Sequence, residues 1–210
     1  MAKDNPIRIL VWSDYVCPFC YLERPVLERI RNELGNRVEI DWRAFELRPE
    51  PEPTLDPNAE YLHRVWNQSV YPMAQERGMV LKLPPIQPRS RKAHEAAECA
   101  REAGQLDAMN AALFKAFFED GHDLADIEVL LDIGRSVGLG QDDLREALTS
   151  SRYEQRVIED QQLARQIGIS GVPALIVTAG GQAYLVSGAQ PYETVKEVVA
   201  RAMTEEKAAP

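Results

Sequence analysis

Cys17 and Cys20 are separated only by Pro18 and Phe19, and the pair falls where the hydrophobic period of the chain changes. Ile7 to Trp12 is a β-branched and aromatic run without helix caps, closed by a Ser13-Asp14 turn signal, which predicts a short buried strand. From Leu22 onward, apolar residues recur three and four apart through Val26, Leu27, Ile30 and Leu34, which predicts a helix stopped by Gly35. Pro25 removes one backbone donor inside that pattern, so a kink is expected there and not a break. Arg37 to Phe45 alternates through Val38, Ile40, Trp42 and Ala44 as a second strand. The two cysteines therefore open the helix of a β-α-β unit.

After Leu47 come Pro49, Pro51, Pro53 and Pro57, which can continue neither a strand nor a helix and mark a boundary. The stretch from Asn58 reads as helical for about 110 residues, broken by the irregular Leu83 to Pro88 loop. Its apolar faces run through Ala93, Ala96, Ala97, Ala100 and Ala103, then Leu106, Met109, Leu113 and Phe117, then Ile127, Leu130, Leu131 and Gly134. A capping box of Ser151 and Glu154 is expected to open the last of these helices, which Gly168 stops. Ala174 to Thr178 and Ala183 to Ser187 read as a hairpin turned by Gly180-Gly181, and Pro191 to Met203 as a closing helix. The order β-α-β, helical segment, β-β-α is an α/β, thioredoxin-like fold interrupted by an all-helical insertion domain. The expected division is 1–48 with 169–210 for the discontinuous thioredoxin-like domain, and 49–168 for the insertion.

Composition removes several function classes. With 24 Lys+Arg against 33 Asp+Glu in 210 residues, the net charge is −9, which repels polyphosphate and anionic lipid, so neither nucleic acid nor membrane is an expected partner. Three cysteines are too few, and odd in number, for a disulfide framework. No run approaches the roughly 20 apolar residues of a membrane span. The polar Met1 to Pro6 is followed by only six mostly apolar residues, too few for the apolar segment of a signal peptide. A cytoplasmic location follows as the expectation.

The helix N-terminus is where a cysteine pair becomes reactive. Unpaired backbone N–H groups and the helix dipole favour negative charge there, and the thiolate is the form that attacks a disulfide. Two intervening residues let the second thiol reach back one turn, so a mixed disulfide on Cys17 can be resolved by Cys20. Pro18 suits the first turn, where the donor it lacks would be unpaired anyway. The competing reading is half of a zinc site, which needs two further ligands from Cys99, His63, His94 and His122. His94 and Cys99 lie about 140° apart around one helix and cannot face a common metal. Redox chemistry is the stronger reading, with no metal. Gly171-Val172-Pro173 directly precedes a strand, where a proline is either punctuation or a cis bond.

Taken together, the Cys17 to Cys20 motif, Pro25, the long helical insertion and Gly171-Val172-Pro173 before Ala174-Leu175-Ile176-Val177 resemble the DsbA-like branch of the thioredoxin superfamily. The cytoplasmic FrnE-type group is closer still, and Ser187-Gly188-Ala189-Gln190-Pro191 is also similar to it. The resemblance covers essentially the whole chain. It implies a dithiol-disulfide oxidoreductase acting on protein or small-molecule disulfides, with Cys17 as nucleophile and Cys20 as resolving thiol. It further implies a cis Val172-Pro173 peptide whose backbone holds extended substrate. No cofactor is implied beyond the redox-active disulfide, with glutathione a candidate electron donor. The Pro-Phe pair matches neither the Pro-His of the strong periplasmic oxidant nor the Gly-Pro of the reductant, so the motif leaves the direction of catalysis open.

Thioredoxin-like proteins often keep a buried acid six residues before the first cysteine, and here that place is Val11. Asp14 and Glu23 could take over the proton of the resolving thiol, although a surface helix-cap acid and a solvated helix face are the plainer readings of them. Cys99 reads as a small buried hydrophobe and His94 as a surface or satisfied histidine. Trp12 and Tyr15 flank the approach to Cys17, and Tyr15 and Phe19 are expected to contribute to a substrate groove. Two rival functions remain. One is a glutathione-dependent isomerase or transferase of the hydroxychromene-carboxylate isomerase or kappa type, which usually carries Ser in place of Cys17; the other is a non-catalytic binding or chaperone module.

Overall fold

A computed structural model describes residues 6–208, so Met1 to Asn5 of the polar N-terminal stretch lie outside it. Strand β1 (Ile7–Ser13) is followed by helix α1 (Pro18–Leu34), a 3-10 turn, and strand β2 (Val38–Ala44). A continuous helical stretch then runs as α2 (Glu60–Val65), a π turn over Trp66–Val70, and α3 (Tyr71–Glu76). Helices α4 (Arg91–Glu102), α5 (Leu106–Phe118), α6 (Ile127–Ser136), α7 (Gln141–Thr149) and α8 (Glu154–Gln166) complete the insertion. Strands β3 (Ala174–Ala179) and β4 (Gln182–Ser187) and helix α9 (Tyr192–Ala208) close the described chain.

The sheet order is β2-β1-β3-β4, with β1 parallel to β2 and antiparallel to β3. Strand β1 is central and covered on both faces, which is why it reads as a nearly unbroken apolar run. Ile7, Ile9 and Val11 share one face and pack with Val26, Leu27 and Ile30 of α1 and Val195 and Val199 of α9. Trp12 points the other way into a cluster with Phe45, Ala164, Ile169 and Ala174, and its indole N–H donates to the Asp160 carbonyl at 3.1 Å. Gly180 and Gly181 both have positive φ, 54° and 80°, as a two-residue hairpin between β3 and β4 requires.

Helix α1 belongs to two cores. Cys20, Tyr21 and Leu22, before Pro25, pack with the insertion, whereas Val26, Leu27 and Ile30 pack with the sheet. The helix runs unbroken through Pro25. Tyr21 lies nearly parallel to Phe114 and Phe118 of α5 at 5.3 and 5.8 Å, so the aromatic centre of the insertion rests on the first turns of α1.

The expected capping box does not form. Ser151 sits in a turn with φ 55°, Tyr153 precedes α8 without a side-chain cap, and the Ser151 hydroxyl accepts instead from Lys92 Nζ at 2.9 Å. Lys92 and α4 pack close enough there to outbid the local cap.

Candidate functional site

Cys17 is the N-cap of α1, with extended backbone, and Pro18 occupies the first turn. The Cys17 N–H donates to the Asp14 carbonyl at 3.1 Å, while the Cys20 and Tyr21 N–H groups donate to the Cys17 carbonyl at 3.1 and 3.3 Å. This turn sets the Cys17 side chain at the helix end, where it is 3% exposed, and Cys20 one turn inward, where it is 0% exposed. Both are free thiols. Burial, followed by hydrogen bonding to Cys17, pushes the Cys20 thiol well above its usual range; the Asp14 backbone N–H and Ser13 hydroxyl act against that rise.

The Cys17 Sγ lies 3.5 Å from the carbonyl oxygen of Val172. The Val172–Pro173 peptide bond is cis, Pro173 is buried, and its carbonyl accepts from the Gly188 N–H at 2.8 Å. A cavity of about 290 Å³ borders this segment, lined by Ile169, Ser170, Gly171, Val172, Leu185 and Gly188 among others. Phe19 is half-buried against the insertion core. Tyr15 is buried, packs its ring against Phe114 at 5.1 Å and a 55° tilt, and donates its phenol O–H to Asn110 Oδ1.

Both acids read as surface groups are interior ones. Asp14 is 0% exposed, and its carboxylate accepts from the Leu47 N–H at 2.7 Å and the Val16 N–H at 3.4 Å, tying the turn before Cys17 to the segment that follows β2. Glu23 is also 0% exposed and accepts from the Gln190 N–H at 2.9 Å. Burial pushes its carboxyl up to about 7, with Arg77 opposing the rise. His94, expected at the surface or satisfied, is buried with Nε2 lacking a hydrogen-bond partner. Cys99 is buried as expected, with Sγ 3.7 Å from Asp143 Oδ2 and its thiol pushed up by burial.

Two features escaped the sequence reading. Ser13 reads locally as a turn residue, but it is the last residue of β1, and period-2 alternation puts it on the inward face with Ile9 and Val11. Arg77 carried no local signal, because its partners lie 54 and 113 residues away. Among the described residues, no group of three or more His, Cys, Asp or Glu could hold a metal ion, and no helix is long and apolar enough to cross a membrane.

The chain is similar to known proteins in sequence and in fold. The chain is 33% identical over 177 residues to the uncharacterized protein YwbO of Bacillus subtilis (strain 168), a match covering 81% of this chain and 86% of that protein. Its fold matches the probable DsbA oxidoreductase SCO1869 of Streptomyces coelicolor with a TM-score of 0.81 at 25% identity, over 95% of this chain and 91% of the other. It also matches the cytosolic disulfide reductase DsbM of Pseudomonas aeruginosa with a TM-score of 0.71 at 19% identity, over 92% and 98% of the two chains. A DSBA-like thioredoxin domain matches residues 8–200, from the central strand to the last helix, and the chain belongs to that family.

Proposed function

We propose that this protein is a thiol-disulfide oxidoreductase of the cytoplasm in which Cys17 attacks a protein or small-molecule disulfide and Cys20 resolves the adduct. The observation that carries this reading is the position of the Cys17 Sγ, at the N-terminus of α1 and 3.5 Å from the Val172 carbonyl. The carbonyl and the neighbouring groove offer a backbone edge and apolar walls to an extended substrate, with Val172 and Pro173 as the holding segment. Attack by Cys17 forms a mixed disulfide and releases one substrate thiolate. Attack by Cys20 on the Cys17 sulfur then forms the Cys17–Cys20 disulfide and releases the second. The substrate gains two electrons and the cysteine pair loses two, so the two sulfurs suffice as carriers. Glutathione is a fitting donor to restore the dithiol, and DsbM, which shares the fold, has been solved with GSH.

The test is equilibration against graded glutathione buffers with thiol labelling, alongside an insulin-reduction assay. A single two-electron transition that includes both Cys17 and Cys20 is expected, and its midpoint assigns the direction, since ~30 mV is about 1.4 kcal/mol for such a couple. Two independent one-thiol transitions, or labelling of Cys17 and Cys20 that never changes with the buffer, would overturn the reading.

A further inference from the structure

The resolving thiol has a proton to lose and no open route for it. Cys20 is 0% exposed, and Cys17, which carries the adduct during resolution, lies on its substrate side. Beside the Cys20 thiol stands Ser13, 5% exposed, whose hydroxyl makes no well-formed hydrogen bond. Ser13 also lines a cavity of about 20 Å³, room for one water, and His94 lines the same cavity. The His94 Nε2 is buried and unpartnered, and Asp14 Oδ1 lies 3.5 Å from it. The outer wall includes Glu98, Arg101 and Arg43, and the two arginine side chains, 31% and 32% exposed, reach solvent. Two buried polar atoms left unpartnered around one cavity of water size are costly to a fold that makes no use of them.

We propose that Ser13 and His94, with Asp14 beside the imidazole, form a proton relay that moves the Cys20 proton to and from solvent through this cavity. The proposal rests on the dithiol reading above. In the resolving step the Cys20 S–H proton passes to the Ser13 oxygen as the hydroxyl proton leaves, through one water, for His94 Nε2. The Cys20 thiolate then attacks the Cys17 sulfur, the new S–S bond forms, and the substrate sulfur leaves with the electron pair of the broken bond. Run in reverse, the same path returns a proton to Cys20. Val11, on the Ser13 face of β1, accepts no proton, and Glu23, whose Oε2 is held by Arg77 and the Gln190 N–H while its buried Oε1 has no partner, is not among the residues that line this cavity. The titratable and charged groups facing His94 and the cavity are Asp14 and Tyr15 from the turn, Arg43 from β2, and Glu98 and Arg101 from α4; α5 contributes the neutral Leu106 at the cavity and Asn110 on the Tyr15 phenol.

Reaction with 5,5′-dithiobis(2-nitrobenzoate) separates the two steps, in a Cys99→Ala background. The first thionitrobenzoate released reports attack by Cys17 and the second reports resolution by Cys20. Near neutral pH, His94→Gln and Ser13→Ala should each slow the second release by at least about tenfold and leave the first within about twofold. The loss should disappear at strongly alkaline pH, where hydroxide takes the Cys20 proton directly, and Ser13→Thr should keep the normal rate. Unchanged second release in both variants would overturn the relay. So would a slowing that is the same at every pH, or that affects both releases equally, since either marks a purely structural effect. A parent protein with no second release at all would overturn the dithiol reading and the relay with it.

Discussion

Arg77, at the end of α3, reaches Glu23 of α1 with guanidinium and carboxylate 3.3 Å apart, the Glu23 side chain buried and that of Arg77 partly so. The same guanidinium donates to the Leu22 carbonyl and, at 2.7 Å, to the Gln190 carbonyl. One cation from the insertion thus holds α1, the helix that Cys17 caps, and the segment that follows β4. Arg77 is suited to this because its planar fork can serve three acceptors at once.

Burial lifts the Glu23 carboxyl from an ordinary 4.5 to about 7, so the folded state holds this proton more tightly than the unfolded one. Stability from this group is therefore full below about pH 4.5 and is lost as pH rises to about 7, by roughly 3 kcal/mol at most. Glu23→Gln should remove that slope. Urea unfolding of both proteins across this range should show the variant gaining on the parent as pH rises; parallel curves would exclude titration of Glu23.

Arg77→Met should destabilise the fold by about 3–5 kcal/mol in alkaline buffer, because it leaves a buried carboxylate without its cation. In acid the protonated Glu23 needs no counter-charge, so the cost should shrink. Chemical denaturation at the two extremes, with the same cost at both, would show that lost packing explains the effect.

Iodoacetamide should modify Cys17 before Cys20 and Cys99 in the reduced protein. Burial pushes both of the latter thiols up, and the thiolate is the reacting form. Time-resolved peptide mass spectrometry reads the order directly, and Cys20 leading or matching Cys17 would contradict it.

Cys20→Ser should still attack disulfides but accumulate as a mixed disulfide on Cys17, since the intramolecular exit is gone. Non-reducing gels and intact mass after exposure to oxidised glutathione should show one glutathione per chain, attached at Cys17. Turnover at the parent rate without an adduct would mean that the second thiol is dispensable.

Local sequence determined the elements that carry the chemistry. The period change around Ser13 to Leu22 located a strand-to-helix junction, the two-residue spacing put Cys20 one turn behind Cys17, and the glycine pair at 180 and 181 turned the hairpin. These are nearest-neighbour effects of backbone geometry, and they need no tertiary context. The interior of the site was decided elsewhere. Asp14 and Glu23 are acids whose local pattern points to the surface, and only the return of Leu47, Arg77 and Gln190 from distant parts of the chain supplies the partners that let them be buried. Ser151 failed as a cap for the same reason, since Lys92 from α4 took its hydroxyl. His94 faces Asp14 because α4 packs against the turn before Cys17, a placement set by the burial of the whole insertion and not by any pattern within α4. Burial of a polar group is settled by partners far apart in sequence, so it becomes visible only when the chain has folded.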